Sequence, residues 1–197
     1  MNPNPVRIGI ITASTREGRF GPVVARWFTD RAGRRADLTI DSIDLAEVPL
    51  PVVHQAHPVT TGEYPSADVR AFAERIGNAD AYVIVTPEYN HSFPASLKLA
   101  IDSVYLEWQA KPVGFVSYGG FAGGLRAVEP LRCVFAELHA ATIRETVSFY
   151  LAPQQFDEHG EPHDRAGTDA AATALLDQLT WWAKALRHAR AESPYPG

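Results

Sequence analysis

Cysteine is almost absent from this chain of 197 residues, which contains a single one, Cys133. One cysteine cannot form an internal disulfide, and it cannot build a multi-cysteine metal site. The amino terminus, MNPNPVRIGI, has no basic segment leading into an apolar one, and no stretch of the sequence is apolar over the length that a bilayer requires. We therefore expect a cytoplasmic protein with no membrane partner.

Positive charge is also scarce. The chain has 18 Lys and Arg against 23 Asp and Glu, a net charge of −5, and its basic residues nowhere form a run longer than two. A protein that neutralises nucleic-acid phosphates normally carries a basic face, so a nucleic-acid partner is disfavoured. The length predicts one domain, residues 1–197, with residues 190–197 as a frayed tail.

Metal ligands are sparse as well. His54 and His57 in HQAH, and His159 with His163, have no third ligand at a matching spacing. We interpret them as solvated loop histidines and predict no metal site. Cys133 lies between apolar positions of a predicted helix, so we expect a buried, inert thiol.

What the chain does have is a regular alternation of strand and helix patterns. Short apolar runs predict strands at residues 6–12, 38–45, 81–86, 113–117 and 142–149. Apolar residues at helical spacing predict helices at 22–30, 66–78, 94–108, 125–139 and 168–187. Strands that alternate with helices form a parallel sheet covered on both faces, so the pattern predicts a three-layer α/β domain. The second strand is the more polar and is expected near a sheet edge.

Three unusual loops follow predicted strands, where ligands collect in an open parallel sheet. They are STREGRFG at 14–21, PEYNHSFP at 87–94 and SYGGFAGG at 117–124. The first offers the Ser14 and Thr15 hydroxyls, the Arg16 and Arg19 guanidinium groups and the start of a helix, which together suit a phosphate. It matches neither the P-loop nor the G-x-G-x-x-G fingerprint. The alternative is a solvated turn whose arginines face water.

The other two loops suit a planar ligand. In the third loop, glycines beside Tyr118 would let backbone amides come close to such a ligand, although a turn before the next helix also needs them. In the second loop, Glu88 and His91 could suggest acid–base chemistry. They lie within one short turn and no nucleophile accompanies them, so we do not favour catalysis by these two residues.

These residues resemble a known family. The blocks S-T-R-x-G-R-x-G-x-x-V-A-x-W, P-E-Y-N-x-S-x-P-x-x-L-K-x-A-I-D and K-P-V-x-F-V-S-Y-G-G-x-A-G-G-x-R-A resemble those of the NADPH-dependent FMN reductases, from about residue 6 to residue 149. One departure is Ala13, where many relatives have Gly. The resemblance implies a flavodoxin-like fold with a five-stranded parallel sheet in the order 2-1-3-4-5.

The resemblance also implies the site. The FMN phosphate would bind in the first loop, the ribityl chain and isoalloxazine would follow the second, and the pyrimidine edge would meet the third. The implied cofactor-binding residues are Ser14, Arg16, Arg19, Phe20, Gly21, Pro87, Glu88, Tyr89, Asn90, Ser117, Tyr118, Gly119 and Gly120. The backbone N–H groups of Gly119 and Gly120 would stabilise negative charge on the reduced ring, and no catalytic side chain is needed.

The implied activity is an NAD(P)H oxidoreductase with FMN as cofactor. NADPH or NADH would give hydride to the flavin, which would reduce a flavin, quinone, azo compound or similar small molecule. The implied assembly is a homodimer or homotetramer, with Tyr105 and Trp108 as candidate interface aromatics. An alternative is a flavodoxin-type electron carrier without NAD(P)H turnover, although such carriers are usually more acidic. A dehydrogenase with direct hydride transfer is disfavoured by the missing fingerprint.

Overall fold

A twisted parallel sheet forms the centre of the molecule. The computed structural model describes residues 4–53 and 56–196. Its strands are β1 (Val6–Thr12), β2 (Leu38–Asp44), β3 (Ala81–Pro87), β4 (Pro112–Tyr118) and β5 (Ala141–Phe149). They pair in parallel in the order β2-β1-β3-β4-β5, which confirms the predicted sheet and strand order.

Five helices cover the two faces of this sheet. They are α1 (Gly21–Gly33), α2 (Ala67–Asn78), α3 (Ala95–Ser103), α4 (Leu125–Glu137) and α5 (Arg165–Glu192). Pro22 occupies the first turn of α1, where its missing N–H costs no hydrogen bond. The side chains of Ser66 and Asp164 cap α2 and α5 by accepting backbone N–H groups.

Each face of the sheet has its own apolar core. Ile8 and Ile10 of β1 pack with α1 and α5, whereas Ile11 packs with α2, α3 and α4. β3 and β4 are buried along their whole length, as parallel strands between two helix layers must be. β2 is partly exposed and lies at the edge of the sheet, as its polar sequence predicted.

The predicted helix at 94–108 is too long. α3 ends at Ser103 because Val104 is extended, with φ −142° and ψ 154°, and residues Leu106–Trp108 form a separate 3₁₀ turn. This break turns Trp108 inward, where its ring meets Tyr82 at 4.8 Å and Phe135 at 5.6 Å between centroids. Trp108 is 1% exposed and therefore belongs to the core, not to a subunit interface.

One further prediction is wrong. Cys133 is exposed, because it points away from the buried residues on either side of it, Leu131 and Phe135, on the solvent side of α4. At the end of the chain, α5 continues to Glu192, and Arg190 donates to the carbonyl of Ala110. In the part of the chain that is described, no helix is apolar enough over a sufficient length to cross a membrane.

Lys111 is a buried cation at the amino end of β4, 6% exposed. Its ammonium group donates to the carbonyls of Ile76 (3.0 Å) and Gly77 (2.8 Å) at the end of α2, and to the Tyr82 hydroxyl (3.1 Å). Burial, with a smaller contribution from Arg190, lowers the pKa of Lys111 to about 7. Folding therefore depends on pH through this side chain.

We expect Lys111→Met to change the pH dependence of stability. The unfolded chain holds a proton on Lys111 up to about pH 10, whereas the folded protein releases it near 7. Burial of Lys111 therefore lowers the free energy of unfolding by its full amount below pH 7. This destabilisation decreases as the pH rises from 7 towards 10. In urea unfolding, the stability of the wild type relative to Lys111→Met should rise by about 2 kcal/mol from pH 7 to pH 9.

The matched control is Lys98→Met, which removes an exposed ammonium from α3. For this variant, the difference in unfolding free energy from the wild type should stay constant between pH 7 and pH 9. If the difference in unfolding free energy between the wild type and Lys111→Met is also constant with pH, then Lys111 remains charged in the folded protein across this range.

Candidate functional site

The three unusual loops meet beyond the carboxyl ends of β1, β3 and β4. We call them the first loop (residues 13–20), the second loop (88–94) and the third loop (119–124). Between them lies a cleft of about 290 Å³. It is lined by Arg16, Glu17, Gly18, Arg19, Phe20, Pro87, Glu88, Tyr89, Tyr118, Gly119, Ala152 and Pro153. The cleft lies at the switch point between β1 and β3, the position that ligands favour in such sheets.

The first loop presents unpaired backbone donors. The N–H groups of Ser14, Thr15, Gly18 and Phe20 have no acceptor among residues 4–53 and 56–196. Helix α1 starts directly after them, so its positive end adds to the same region. Several free N–H groups next to a helix start form a favourable anion site.

Side chains from other elements hold this loop in place. Ser14 is fully buried and its hydroxyl bonds the Tyr89 hydroxyl of the second loop at 2.5 Å. The Ser96 hydroxyl, from the first turn of α3, donates to the Ala13 carbonyl at 2.6 Å. The first loop is therefore tied to both the second loop and α3.

The two arginines of the first loop differ in their surroundings. Arg19 donates to both carboxylate oxygens of Asp44 (2.5 and 2.8 Å) and to the Ser14 carbonyl (2.5 Å), and this carboxylate raises the pKa of Arg19. Arg16 is exposed, and its guanidinium has no acidic partner in the described part of the chain. Of the two, Arg16 has the free guanidinium group.

The second loop is a tight two-residue turn. Tyr89 and Ser92 exchange backbone hydrogen bonds of 2.9 and 3.0 Å, and the residues between them, Asn90 and His91, have φ values of 49° and 70°. Positive φ at both central positions is the type I′ geometry. Asn90 and His91 are thus exposed at the tip, outside the cleft lining.

Glu88 lines the cleft at the start of this loop. Its Oε1 accepts from Arg126 at 3.4 Å, whereas its Oε2 is buried and has no partner among the described residues. A buried acceptor without a donor is costly, and a ligand with hydroxyl or N–H groups could satisfy it.

The third loop is fixed by its glycines and two serines. Ser117 and Ser148 both donate their hydroxyls to the Gly123 carbonyl at 2.8 Å, and Gly123 has φ 60°. The hydroxyl of Ser117 is therefore used within the loop. Gly119 donates its N–H to the Phe149 carbonyl at 3.1 Å. Of the two amides expected at the reduced ring, only that of Gly120 has no acceptor in the described part of the chain.

Tyr118 packs under the first loop. Its ring meets Phe20 edge-on at 6.4 Å between centroids. Its buried hydroxyl lacks a hydrogen-bond partner among the described residues, and burial raises the pKa of this group. A Cβ on Gly21 would lie 2.7 Å from that hydroxyl oxygen. The contact explains why a residue without a side chain starts α1.

The structure sorts the sequence-predicted site residues into three groups. Those that line the cleft are Arg16, Arg19, Phe20, Pro87, Glu88, Tyr89, Tyr118 and Gly119. Ser14, Gly21 and Ser117 are buried behind this lining, and Asn90 and Gly120 are exposed at loop tips. These roles in cofactor binding stay predictions.

The predicted site residues omitted six others. Glu17 and Gly18 of the first loop line the cleft, as do Ala152 and Pro153, which follow β5. Asp44 and Ser96 hold the first loop. Of the four outside the first loop, only Asp44 carried a usable signal, as an acid at the end of a predicted strand.

No cluster of three potential metal ligands occurs among the described residues. His54 lies outside them, so the HQAH group cannot be placed.

The strand order and the loop positions define a flavodoxin-like α/β protein with its candidate site at the strand switch point. The family model of the NADPH-dependent FMN reductases matches residues 6–154, so the chain belongs to that family. It is 36% identical over 120 residues to an NAD(P)H-dependent FMN reductase of Schizosaccharomyces pombe, covering 60% of this chain and 60% of that protein.

Two other proteins extend the likeness. An Arabidopsis thaliana NADPH:quinone oxidoreductase is 33% identical over 178 residues, and the match covers 87% of this chain and 89% of that protein. The structure of a Paracoccus denitrificans flavoenzyme NAD(P)H:acceptor oxidoreductase superposes with a TM-score of 0.70 at 18% identity, covering 91% of this chain and 98% of that one. The superposition supports the fold.

The contact between Gly21 and Tyr118 generates a prediction. Gly21→Ala would place a methyl group against the Tyr118 hydroxyl and 3.2 Å from Thr12 Cγ2. Over-packing of a filled position should lower the free energy of unfolding by about 1–3 kcal/mol, measured by urea denaturation.

Gly33→Ala, at the other end of α1, is the control. Nothing lies within 4 Å of a Cβ there, so this change should be neutral or stabilising. Equal losses of unfolding free energy in the two variants would show that the contact with the Tyr118 hydroxyl is not the cause.

Proposed function

We propose that this chain acts as one FMN-binding domain that oxidises NADPH or NADH and reduces a small-molecule acceptor. The observation that carries the proposal is the first loop: unpaired N–H groups, a free Arg16 guanidinium and the start of α1 converge at the strand switch point. A phosphate monoester is the ligand that these donors suit. Family membership supports FMN as the phosphate monoester that binds here.

The remaining walls of the cleft also fit FMN. The ribityl hydroxyls and the ring N–H of FMN are donors, and the buried Glu88 Oε2 is an acceptor without a donor. Pro87, Phe20 and the exposed backbone around Gly120 offer apolar and flat surfaces for a planar ring. FMN, when bound, supplies the chemistry of accepting hydride from NAD(P)H and passing electrons on.

The protein's own part in this activity is binding and orientation. Arg16 and the first-loop amides would hold the phosphate end of FMN, and the second and third loops would flank its ring end. The Gly120 N–H is free to donate to a ring carbonyl where negative charge develops. His91 is exposed at the tip of its turn, outside the cleft, whereas Glu88 lines the cleft. We assign neither residue an acid–base role, because the flavin carries the chemistry.

We favour a quinone among the possible acceptors. Relatives from Arabidopsis thaliana and Pseudomonas putida are named as quinone reductases. A carrier without NAD(P)H turnover is the less favoured function.

We also propose a cytoplasmic homodimer or homotetramer. The exposed thiol of Cys133 suits a reducing compartment. Val52 and Val53, which are 81% and 84% exposed in the loop after β2, offer apolar surface that a second copy could cover. Light scattering of the purified protein measures the oligomeric state.

Direct reduction of bound flavin tests the proposed activity. Purified protein loaded with FMN is mixed anaerobically with NADPH or NADH, and the yellow absorbance of the flavin is followed. We expect it to bleach and to return when a quinone is added. Flavin that stays yellow with both nicotinamides would refute the reductase, and a long-lived blue species on chemical reduction would favour the carrier.

Arg16→Met tests the phosphate end of the site. Loss of a charge-assisted contact should weaken FMN binding by about tenfold or more, whereas riboflavin, which lacks the phosphate, should bind as it does to the wild type. Both affinities are measured by quenching of flavin fluorescence.

Arg34→Met is the matched control for this variant. It removes an exposed arginine just past the far end of α1 and should leave both affinities unchanged. If Arg16→Met binds FMN as the wild type does, Arg16 is not a phosphate ligand.

A further inference from the structure

Three of the five N–H donors of the Arg19 guanidinium bond to groups within the protein. Its Nη1 donates to Asp44 Oδ1 and to the Ser14 carbonyl, both at 2.5 Å, and its Nη2 donates to Asp44 Oδ2 at 2.8 Å. Asp44 Oδ1 also accepts the N–H of Ala46 at 3.0 Å, which fixes the carboxylate. Both side chains are largely buried, 17% and 23% exposed. Such a planar, two-point pair is rigid and directional.

The contact with the Ser14 carbonyl has a consequence for the next amide. The described peptide bonds include none that is cis, so the C=O of Ser14 and the N–H of Thr15 point in opposite directions. Holding the carbonyl on Arg19 therefore fixes the direction of the Thr15 N–H, which has no acceptor of its own among the described residues.

The strand order indicates which direction that is. Asp44 ends β2, which lies on one side of β1, whereas β3 and β4, whose loops form the cleft, lie on the other side. Arg19 holds the Ser14 carbonyl towards Asp44 at the end of β2, so the Thr15 N–H points away from that carboxylate.

We propose that Arg19 and Asp44 are positioning residues for the phosphate site. Arg19 does not bind the phosphate; it orients the Ser14–Thr15 peptide so that the Thr15 amide does. Asp44 keeps the guanidinium in the required place. This inference rests on the proposed FMN function, and it assigns Arg19 a different part from that of Arg16.

The experiment compares Arg19→Met, Asp44→Asn and the double variant. FMN and riboflavin affinities are measured by quenching of flavin fluorescence. The two single variants should weaken FMN binding to a similar extent, about fivefold or more, and riboflavin binding should stay within about twofold of the wild type. The double variant should resemble either single one, because the residues act as a unit.

The matched control is the pair of Arg75 and Asp41, which has the same construction away from the cleft. Arg75 donates to both Asp41 oxygens (3.0 and 2.6 Å) and to the Ser42 carbonyl (2.8 Å). Arg75→Met and Asp41→Asn should leave both flavin affinities unchanged.

Each other outcome is decisive. If Asp44→Asn binds FMN as tightly as the wild type while Arg19→Met loses affinity, then Arg19 is itself a phosphate ligand and the inference fails. Equal losses for FMN and riboflavin, together with a lower melting temperature, would mean that the pair only supports the fold. Unchanged affinities in all variants would exclude any role. A wild type that binds neither flavin would instead refute the proposed function.

Discussion

The parallel pairing of β1 with β3 is the interaction on which the rest of the site depends. Thr12 is paired with Val85, and the ladder is extended by one bond from the Ala13 N–H to the Val85 carbonyl. The carboxyl ends of the two strands therefore lie at the same edge of the sheet, although they are far apart in the sequence. Their loops can then bond directly, as Ser14 does to Tyr89. If β3 paired with β2 instead, these loops would be separated by a strand and no cleft would form.

The first loop shows how a binding site can be made from backbone left unsatisfied. Buried N–H groups normally find an acceptor, yet the carbonyls of Ala13 and Ser14 are taken by Ser96 and Arg19 while the amides that follow them remain free. The side chains from outside the loop thus favour one orientation of the chain. In that orientation the two carbonyls have donors within the protein, whereas the two amides have no acceptor among the described residues.

The sequence pattern was sufficient to predict the parallel sheet and the three loops, and the family resemblance implied the strand order. Strands buried on both faces have continuous apolar runs, and the loop motifs are local in sequence. It could not distinguish Arg16 from Arg19, because the partner of Arg19 is Asp44, which is distant along the chain and reaches it only through the pairing of β1 with β2. The end of α3 was missed for a similar reason. Trp108 fits the helical pattern, but the helix ends before it, and its ring packs in the core on Tyr82 and Phe135, which are distant in sequence.

Part of the backbone strain lies around the same cleft. Among the described residues with positive φ values, Gly18, Asn90, His91, Gly123 and Gly124 lie in the three loops, whereas Gly62, Ala110, His139, Leu151 and Gly160 lie elsewhere. For Asn90 and His91, this conformation costs free energy, which the hydrogen bonds of the turn must offset. The free amides of the first loop and the buried Glu88 oxygen add to the cost. A ligand that satisfies these groups removes part of it, and any ligand that binds only the folded state also stabilises that state by mass action. Ligand binding and folding are therefore coupled through these loops, whereas the two apolar cores hold the strands in register without a ligand.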